Sequence, residues 1–440
     1  MTGRRSRRSS LLSALSRLPR RTGTPALRPL RTGAALALCA ALTAACGALP
    51  GDRGSEAPIK VMTWAPENTT ATNKPGMPAL ARAYARWADS EGGLGDHPLT
   101  VLTCNDHNSS AGAAACARRA VKEKVVAVVG SYSQYGNSFI PPLEGAGIPY
   151  IGGFGLTDEE FSSSVSYPVN GGQPALLAGN GHQLGSGCSK VALVRPDTIA
   201  GDSLPPLLDA GLRAKRHDPA ADIRVPEDAN EYSAMAGQSL SRATDGGVAD
   251  GGCVSVALGD RTDTFFDSFR RTRDSYPKVR VGSVLGSVDQ SVLDRTGGAH
   301  SPYEGAYITG WYPVATDAKW HTMRRVIRTH AFGDNRIDPS DAGVQTTWIA
   351  YTVLRKAVES LGDQPVTGNS LRHAFDNGLR VGTDGLTPTL SWRFEDLLAA
   401  EDYPRAINTD VTFQQVKGGR LVAEREGFVN VSATLESADS

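Results

Sequence analysis

No Cys-x-x-Cys pair occurs in this chain, and its eight histidines stand at no ligand-like spacing, so the sequence offers no metal site. A Walker-type phosphate loop and a Gly-x-Ser-x-Gly elbow are also missing, which removes the commonest marks of nucleotide and serine-hydrolase chemistry. No cofactor is implied. No apolar run reaches the roughly 20 residues that a membrane-spanning helix needs. Lysine and arginine form no patch of the kind that grips nucleic acid. Aromatic residues are scarce, at 7%. What the chain does have is length: 440 residues, with 48 glycines and 26 prolines, exceed one typical core of roughly 250 to 300 residues, so two lobes are expected.

The formal net charge of zero conceals an asymmetry. Residues 1–45 carry nine arginines and no acid, which leaves 37 basic against 46 acidic residues in the remainder, a formal −9. The arginine-rich start is followed by an apolar run of small residues, 33–45, of the length of a secretory signal's core. Residues 1–45 are therefore read as a signal peptide. The run ends Leu42-Thr43-Ala44-Ala45-Cys46-Gly47, which resembles the bacterial lipoprotein cleavage motif, with Thr43 where leucine is commoner. The resemblance implies that Cys46 is acylated and becomes the mature N-terminus, with 46–57 as a tether to the outer face of the cytoplasmic membrane. Arg7-Arg8 hints at twin-arginine export, but Ser10 replaces the usual apolar residue, and the choice between that route and the general secretory one stays open.

Cysteine usage fits an oxidising compartment. Cys39 leaves with the signal and Cys46 takes the lipid, so four remain, an even number that reads as two disulfides. Cys104 ends the strand expected at 99–103 and Cys116 lies in the following helix, so these two pair. Cys188 and Cys253 each precede an apolar strand, 190–194 and 254–258. In a doubly wound sheet of order 2-1-3 those strands are neighbours, which brings the second pair within bonding range.

The stretch 125–155 reads as a βαβ unit. Val125 to Val129 form a buried parallel strand. Gly130 turns the chain, and Ser131, Tyr132, Ser133, Gln134 and Tyr135 head the next helix, where free N–H groups favour a polar or anionic ligand. An ordinary polar helix cap uses the same residues. Before it lie a strand at 59–64, a polar loop at 68–76, a helix with Met77, Leu80, Tyr84 and Trp87 on one face, and glycines 92, 93 and 95. After it come repeating βα units: strand 190–194 and helix 204–214, strand 222–225 and helix 232–242, strand 254–258 and helix 263–276, then strand 279–285. Helices 320–330 and 345–361 follow, and 410–431 reads as strands with a hairpin at Gly418-Gly419.

The succession of 84–95, Cys104-Asn105-Asp106, Cys116-Ala117-Arg118, the run ending at Gly130 and Gly145-Ala146-Gly147-Ile148-Pro149-Tyr150-Ile151-Gly152 resembles the first lobe of type I periplasmic binding proteins. The nearest subgroup is the branched-chain amino acid binding proteins of ABC importers; Asp89 stands where that family usually has asparagine. The resemblance implies an α/β fold of two doubly wound parallel-sheet lobes joined by three crossing segments: 58–168 with 306–409 as the N-terminal lobe, and 169–305 with 410–440 as the C-terminal lobe. The first crossing falls near 167–172 and the second near 305–313. It implies further a monomer that captures a small polar solute between its lobes and hands it to ABC permease subunits.

Carried over position by position, the resemblance places ligand contacts at Trp64, at Tyr132, Ser133 and Gln134, and at Phe154 and Gly155 on the first lobe. On the second it points to the loop holding Ala200, to Asp260 and Arg261, and to Ser287 and Asp289. The facing loops depart from the amino acid binders. Ala200 stands in a loop where they carry tyrosine, the loop with Asp260 lacks theirs as well, and Asp289 matches their amine-gripping acid only with a one-residue shift. A buried ammonium without a carboxylate partner is costly, which puts a free amino acid in doubt.

Two other readings use the same sequence. A lipoprotein of this fold can act as a sensor or as an activator of cell-envelope enzymes. Gly201-Asp202-Ser203-Leu204 also spells the motif of a hydrolase family with Ser203 as nucleophile, but the Asp-x-x-His that commonly supplies its base is missing, and a helix-capping Asp202 accounts for the residues. No catalytic residue is assigned.

Overall fold

A computed structural model describes residues 57–69, 72–226, 229–244, 251–273 and 275–438. The signal segment, Cys46 and the tether up to residue 56 lie outside them. In chain order the elements begin with β1 (Ile59–Trp64), α1 (Gly76–Ser90), β2 (Leu99–Cys104), α2 (Ser110–Lys122), β3 (Ala127–Val129), α3 (Gly136–Ala146), β4 (Tyr150–Ile151), α4 (Asp158–Ser162) and β5 (Ser166–Tyr167). Next come α5 (Gly172–Gly187), β6 (Val191–Pro196), α6 (Ile199–Asp202), α7 (Leu204–Ala214), β7 (Ala221–Val225), α8 (Ser233–Ala243), β8 (Cys253–Val256), α9 (Thr262–Arg273), β9 (Arg280–Val284), α10 (Gln290–Arg295) and β10 (Tyr307–Gly310). The chain ends with α11 (His321–His330), α12 (Ala342–Leu361), α13 (Gly368–Asp376), β11 (Asp410–Lys417), β12 (Arg420–Ala423), β13 (Val429–Asn430) and α14 (Ser432–Glu436).

The described strands form two sheets. The first has the order β2-β1-β3-β4-β5 and is parallel throughout, with Ile59 opposite Leu99 and Trp64 opposite Cys104. The second runs β12-β11-β10-β9-β8-β6-β7, with β13 also on β11; only the pairings of β11 are antiparallel. Near-continuous apolar strands such as Val191 to Val194 suit sheets covered on both faces. Strand β10, expected in the passage between lobes, pairs with β9 and β11, so the chain leaves the second sheet after Gly310 and not at residue 305. No described helix is long and apolar enough to cross a membrane.

Local chemistry sets the helix starts. Ser109 accepts from the Gly112 N–H and begins α2, and Asp341 accepts from the Val344 N–H and begins α12 three residues before the expected 345. Both expected disulfides are present, Cys104–Cys116 and Cys188–Cys253, with Cα atoms 5.8 and 5.7 Å apart. The second staples β6 to β8, which lie side by side as the 2-1-3 order requires. Helix α5 has no counterpart in the sequence reading. Its sequence, GQPALLAGNGHQLGSG, is buried around most of its girth, so it lacks the polar face that betrays a helix. It packs against α7 glycine to glycine: a methyl on Gly181 would stand 2.2 Å from the Leu208 carbonyl oxygen, and one on Gly211 2.1 Å from that of Ala178.

Three segments pass between the sheets, and hydrogen bonds tie them together. Asn170 Nδ2 donates to the Tyr312 hydroxyl (2.8 Å), Thr412 Oγ1 donates to the Tyr312 carbonyl (2.8 Å), and Asn408 Nδ2 donates to the Pro168 carbonyl (3.0 Å).

Candidate solute site between the two sheets

Parallel strands deliver their following loops to one edge of a sheet, and both sheets present that edge to a shared cavity of about 90 Å³. From the first sheet's side it is lined by Thr72, Lys74, Tyr132, Phe154 and Leu156. The second contributes Ala257 and Gly259 after β8 and the run Val284, Leu285, Gly286 and Ser287 after β9. Gln173 and Leu176 at the head of α5 and Trp311 after β10 close the side where the chain crosses.

Aromatic rings form the wall. Tyr132 and Phe154 have ring centres 5.0 Å apart at 60°, and Phe154 and Trp311 5.1 Å apart at 82°, both edge-to-face arrangements. The Trp311 indole N–H donates to the Gly172 carbonyl at 2.9 Å, which fixes the ring. A methyl built on Gly286 would meet the Phe154 ring at 3.4 Å, so the second lobe's loop rests directly on the first lobe's aromatic. Gly286 has φ +97°, a conformation other residues rarely adopt.

One ammonium reaches the cavity. Lys74 Nζ lies 5.8 Å from the Phe154 ring centre and 3.0 Å from Asp341 Oδ2, in a pair whose side chains are 11% and 20% exposed. Beside the cavity the loop after β4 wraps a carboxylate of its own. Glu160, 2% exposed, accepts from the N–H groups of Gly155 (3.1 Å), Leu156 (2.8 Å) and Thr157 (3.1 Å), and the Tyr150 hydroxyl bonds it as well. Burial pushes the Glu160 carboxyl above its usual range against the pull of those donors.

The structure brings Tyr132, Phe154 and Ser287 of the sequence-derived set together at the cavity. Of the other described side chains in that set, Trp64, Ser133, Gln134, Gly155, Arg261 and Asp289 do not line it. Trp64 faces the opposite side of the first sheet, fully buried against Phe139 and Tyr150, because successive residues of a strand point to opposite faces. Ser133 is buried on Asp106 and its Oγ accepts from the Tyr135 N–H; Gln134 is exposed with its amide near the Tyr132 hydroxyl. Gly155 is packed on Gly172 and spends its N–H on Glu160. Arg261 is exposed. Asp289 caps α10, accepting from the Val292 N–H (2.9 Å) and the Ser291 hydroxyl (2.8 Å); burial raises its pKa first, and Asp341 raises it further while Lys74 lowers it. The side chains of Ala200 and Asp260 lie outside the described residues.

The head of α3, expected to hold a polar ligand group, is covered by the protein itself. A methyl on Gly136 would stand 2.1 Å from Thr157 Oγ1 and 2.4 Å from the Glu159 carboxylate. The sequence reading missed Lys74, Gln173 and Leu176. Lys74 sits in a loop whose only signal is polarity, and the other two belong to the helix without a polar face. Ser203 lines a second cavity of about 20 Å³, which shares Leu156 and Gln173 with the first and whose described lining holds no histidine.

A family model described as periplasmic binding protein matches residues 69–420. No curated protein sequence matches the chain closely enough to count as a relative. Among solved structures, a leucine binding protein from Thermotoga maritima superposes with a TM-score of 0.64 at 15% identity, over 84% of this chain and 99% of that one. An ABC transporter solute binding protein from R. palustris, crystallised with 4-hydroxybenzoate, gives 0.66 at 13%, over 85% and 97%. An extracellular ligand-binding receptor from Verminephrobacter eiseniae gives 0.66 at 14%, over 83% and 99%. At such identities the likeness is one of fold.

Proposed function

The chain belongs to the periplasmic binding protein family, and we propose that it is an extracytoplasmic lipoprotein that captures a small solute between its lobes and presents it to an ABC importer. The observation that carries this reading is the cavity itself, since it is made jointly by loops of both sheets and by Trp311 at a crossing. Only a site shared in this way couples occupancy to the relative position of two lobes, and hinge closure around a ligand is the signal an importer can read. The solved relatives named for leucine and for 4-hydroxybenzoate support a small organic solute as the cargo. Cys46, through its lipid, holds the protein at the membrane, and the four remaining cysteines, paired in two disulfides, suit that compartment.

Titration of the dialysed protein with a metabolite set, read as melting temperature, tests the reading. A saturable rise at one solute per chain is expected. Turnover of an ester substrate, or copurification with an envelope enzyme in a chain that takes up no solute, would contradict it. Cys46→Ala should move the protein from membranes to the soluble fraction.

A further inference from the structure

We infer that the solute is uncharged: a molecule with an apolar face and a few hydroxyl or amide groups, rather than a carboxylic acid or a free amino acid. The inference rests on the cavity being the solute site. A ligand carboxylate needs a cation or a set of uncommitted N–H donors once it leaves water. Lys74 is the one cation among the described residues lining the cavity, and Asp341 already neutralises it at 3.0 Å. The N–H groups of Gly155, Leu156 and Thr157, which would otherwise form an anion-binding nest beside Phe154, hold the oxygens of Glu160.

The head of α5 is committed as well. Gly172 N–H donates to Asn170 Oδ1 (2.8 Å), Gln173 N–H to the Gly155 carbonyl (2.9 Å), and Pro174 has none. On the second lobe the N–H groups of Leu285 and Ser287 donate to the carbonyls of Thr309 and Val284. An ammonium fares no better, because Asp341 is bound to Lys74, Glu160 is held by the β4 loop, and Asp289 accepts its own helix's cap donors. What remains for a ligand among the described lining is the aromatic wall, the aliphatic surfaces of Leu176, Val284 and Leu285, the uncharged groups of Gln173, Ser287 and Thr72, and the single N–H groups of Gly259 and Gly286, which come from two separate loops. Burying a full charge against such a lining, with a compensated ion pair at its edge, costs more than burying a hydroxyl or an amide.

Matched pairs of acid and primary amide test this: 4-hydroxybenzoate with 4-hydroxybenzamide, phenylacetate with phenylacetamide, and nicotinate with nicotinamide, each titrated by calorimetry. Within the pairs that bind, the wild-type chain is expected to hold the amide at least about tenfold more tightly than the acid. Asp341→Asn keeps the cap on α12, since asparagine serves there equally well, but strips the carboxylate from Lys74; it should shift the ratio toward the acid. Acids binding the wild type more tightly than their amides would overturn the inference and leave solute capture standing. Where no pair binds, the same comparison is made between the solute that raises the wild type's melting temperature and its counterpart of opposite charge state, and tighter binding of the charged form overturns the inference. The wild-type comparison decides even where the variant does not fold.

Discussion

Phe154, from the loop after β4, and Trp311, from the segment that follows β10, meet edge to face with ring centres 5.1 Å apart, and the Phe154 ring also touches the Gly286 loop of the second lobe. One side chain of the first lobe therefore reports on both a crossing segment and the facing loop. Replacing Phe154 by leucine keeps an apolar side chain but removes the two ring contacts. Solute affinity is expected to fall roughly tenfold, about 1.4 kcal/mol. Calorimetry with whichever solute stabilises the wild type checks this, and an unchanged affinity would take Phe154 out of the site.

One hydroxyl joins two of the crossing segments. Tyr312 Oη accepts from Asn170 and pairs with Thr346 Oγ1 at 2.9 Å, with all three residues buried. Tyr312→Phe leaves a buried Asn170 donor without its acceptor, so denaturant unfolding should show a loss of about 1–3 kcal/mol. Because the bond joins two of the three crossings, small-angle scattering should also show a broader distribution of lobe separations. Loss of stability without that broadening would assign the bond to folding alone.

Much of this architecture was legible in the sequence, and the reasons are local. Unbroken β-branched runs mark strands buried on both faces, and the expected 2-1-3 order sets the strands that follow Cys188 and Cys253 side by side, as they are found. The site was legible only in part. Tyr132, Phe154 and Ser287 each stand three residues past a strand end, where the resemblance places ligand contacts, and all three line the cavity. Trp64 ends a strand, yet a single residue of register decides which face it takes, and it takes the far one. Lys74 and Glu160 owe their roles to Asp341 and to three backbone N–H groups, relationships that exist only after folding. Helix α5 hides because it is buried around most of its girth.

The two disulfides should differ in value. Cys188–Cys253 closes 65 residues and Cys104–Cys116 closes 12; chain entropy gives about 4 and about 3 kcal/mol respectively. Cys188→Ser with Cys253→Ser should therefore lower the unfolding free energy more than the matching pair of changes at 104 and 116. The reverse order would mean that the unfolded chain, or local packing, sets the balance.

Acid should favour the native state at Asp289. Its pKa is raised, so the folded chain keeps the proton at pH values where the unfolded chain, near the ordinary value of about 3.9, has released it. Stability from this group is then present at low pH, declines as pH rises through the folded value, and stays lost above it. Asp289→Asn keeps the cap and has no charge to bury. The melting temperature of the variant minus that of the wild type should be more positive at pH 7.5 than at pH 4.5, and a constant difference would show that the carboxyl is not held up by its surroundings. Asp396, held down to about 2 by the Arg393 guanidinium, acts in the opposite sense at more acid pH.

The central claim is that one small solute occupies the cavity between the lobes. Native mass spectrometry of the chain purified without denaturation from its own source tests it directly, alongside Ser287→Trp, which places an indole in the cavity. The account predicts one small molecule per wild-type chain, released on unfolding and missing from the Ser287→Trp chain; a wild-type chain without a bound molecule, or a molecule retained equally by both proteins, would contradict it.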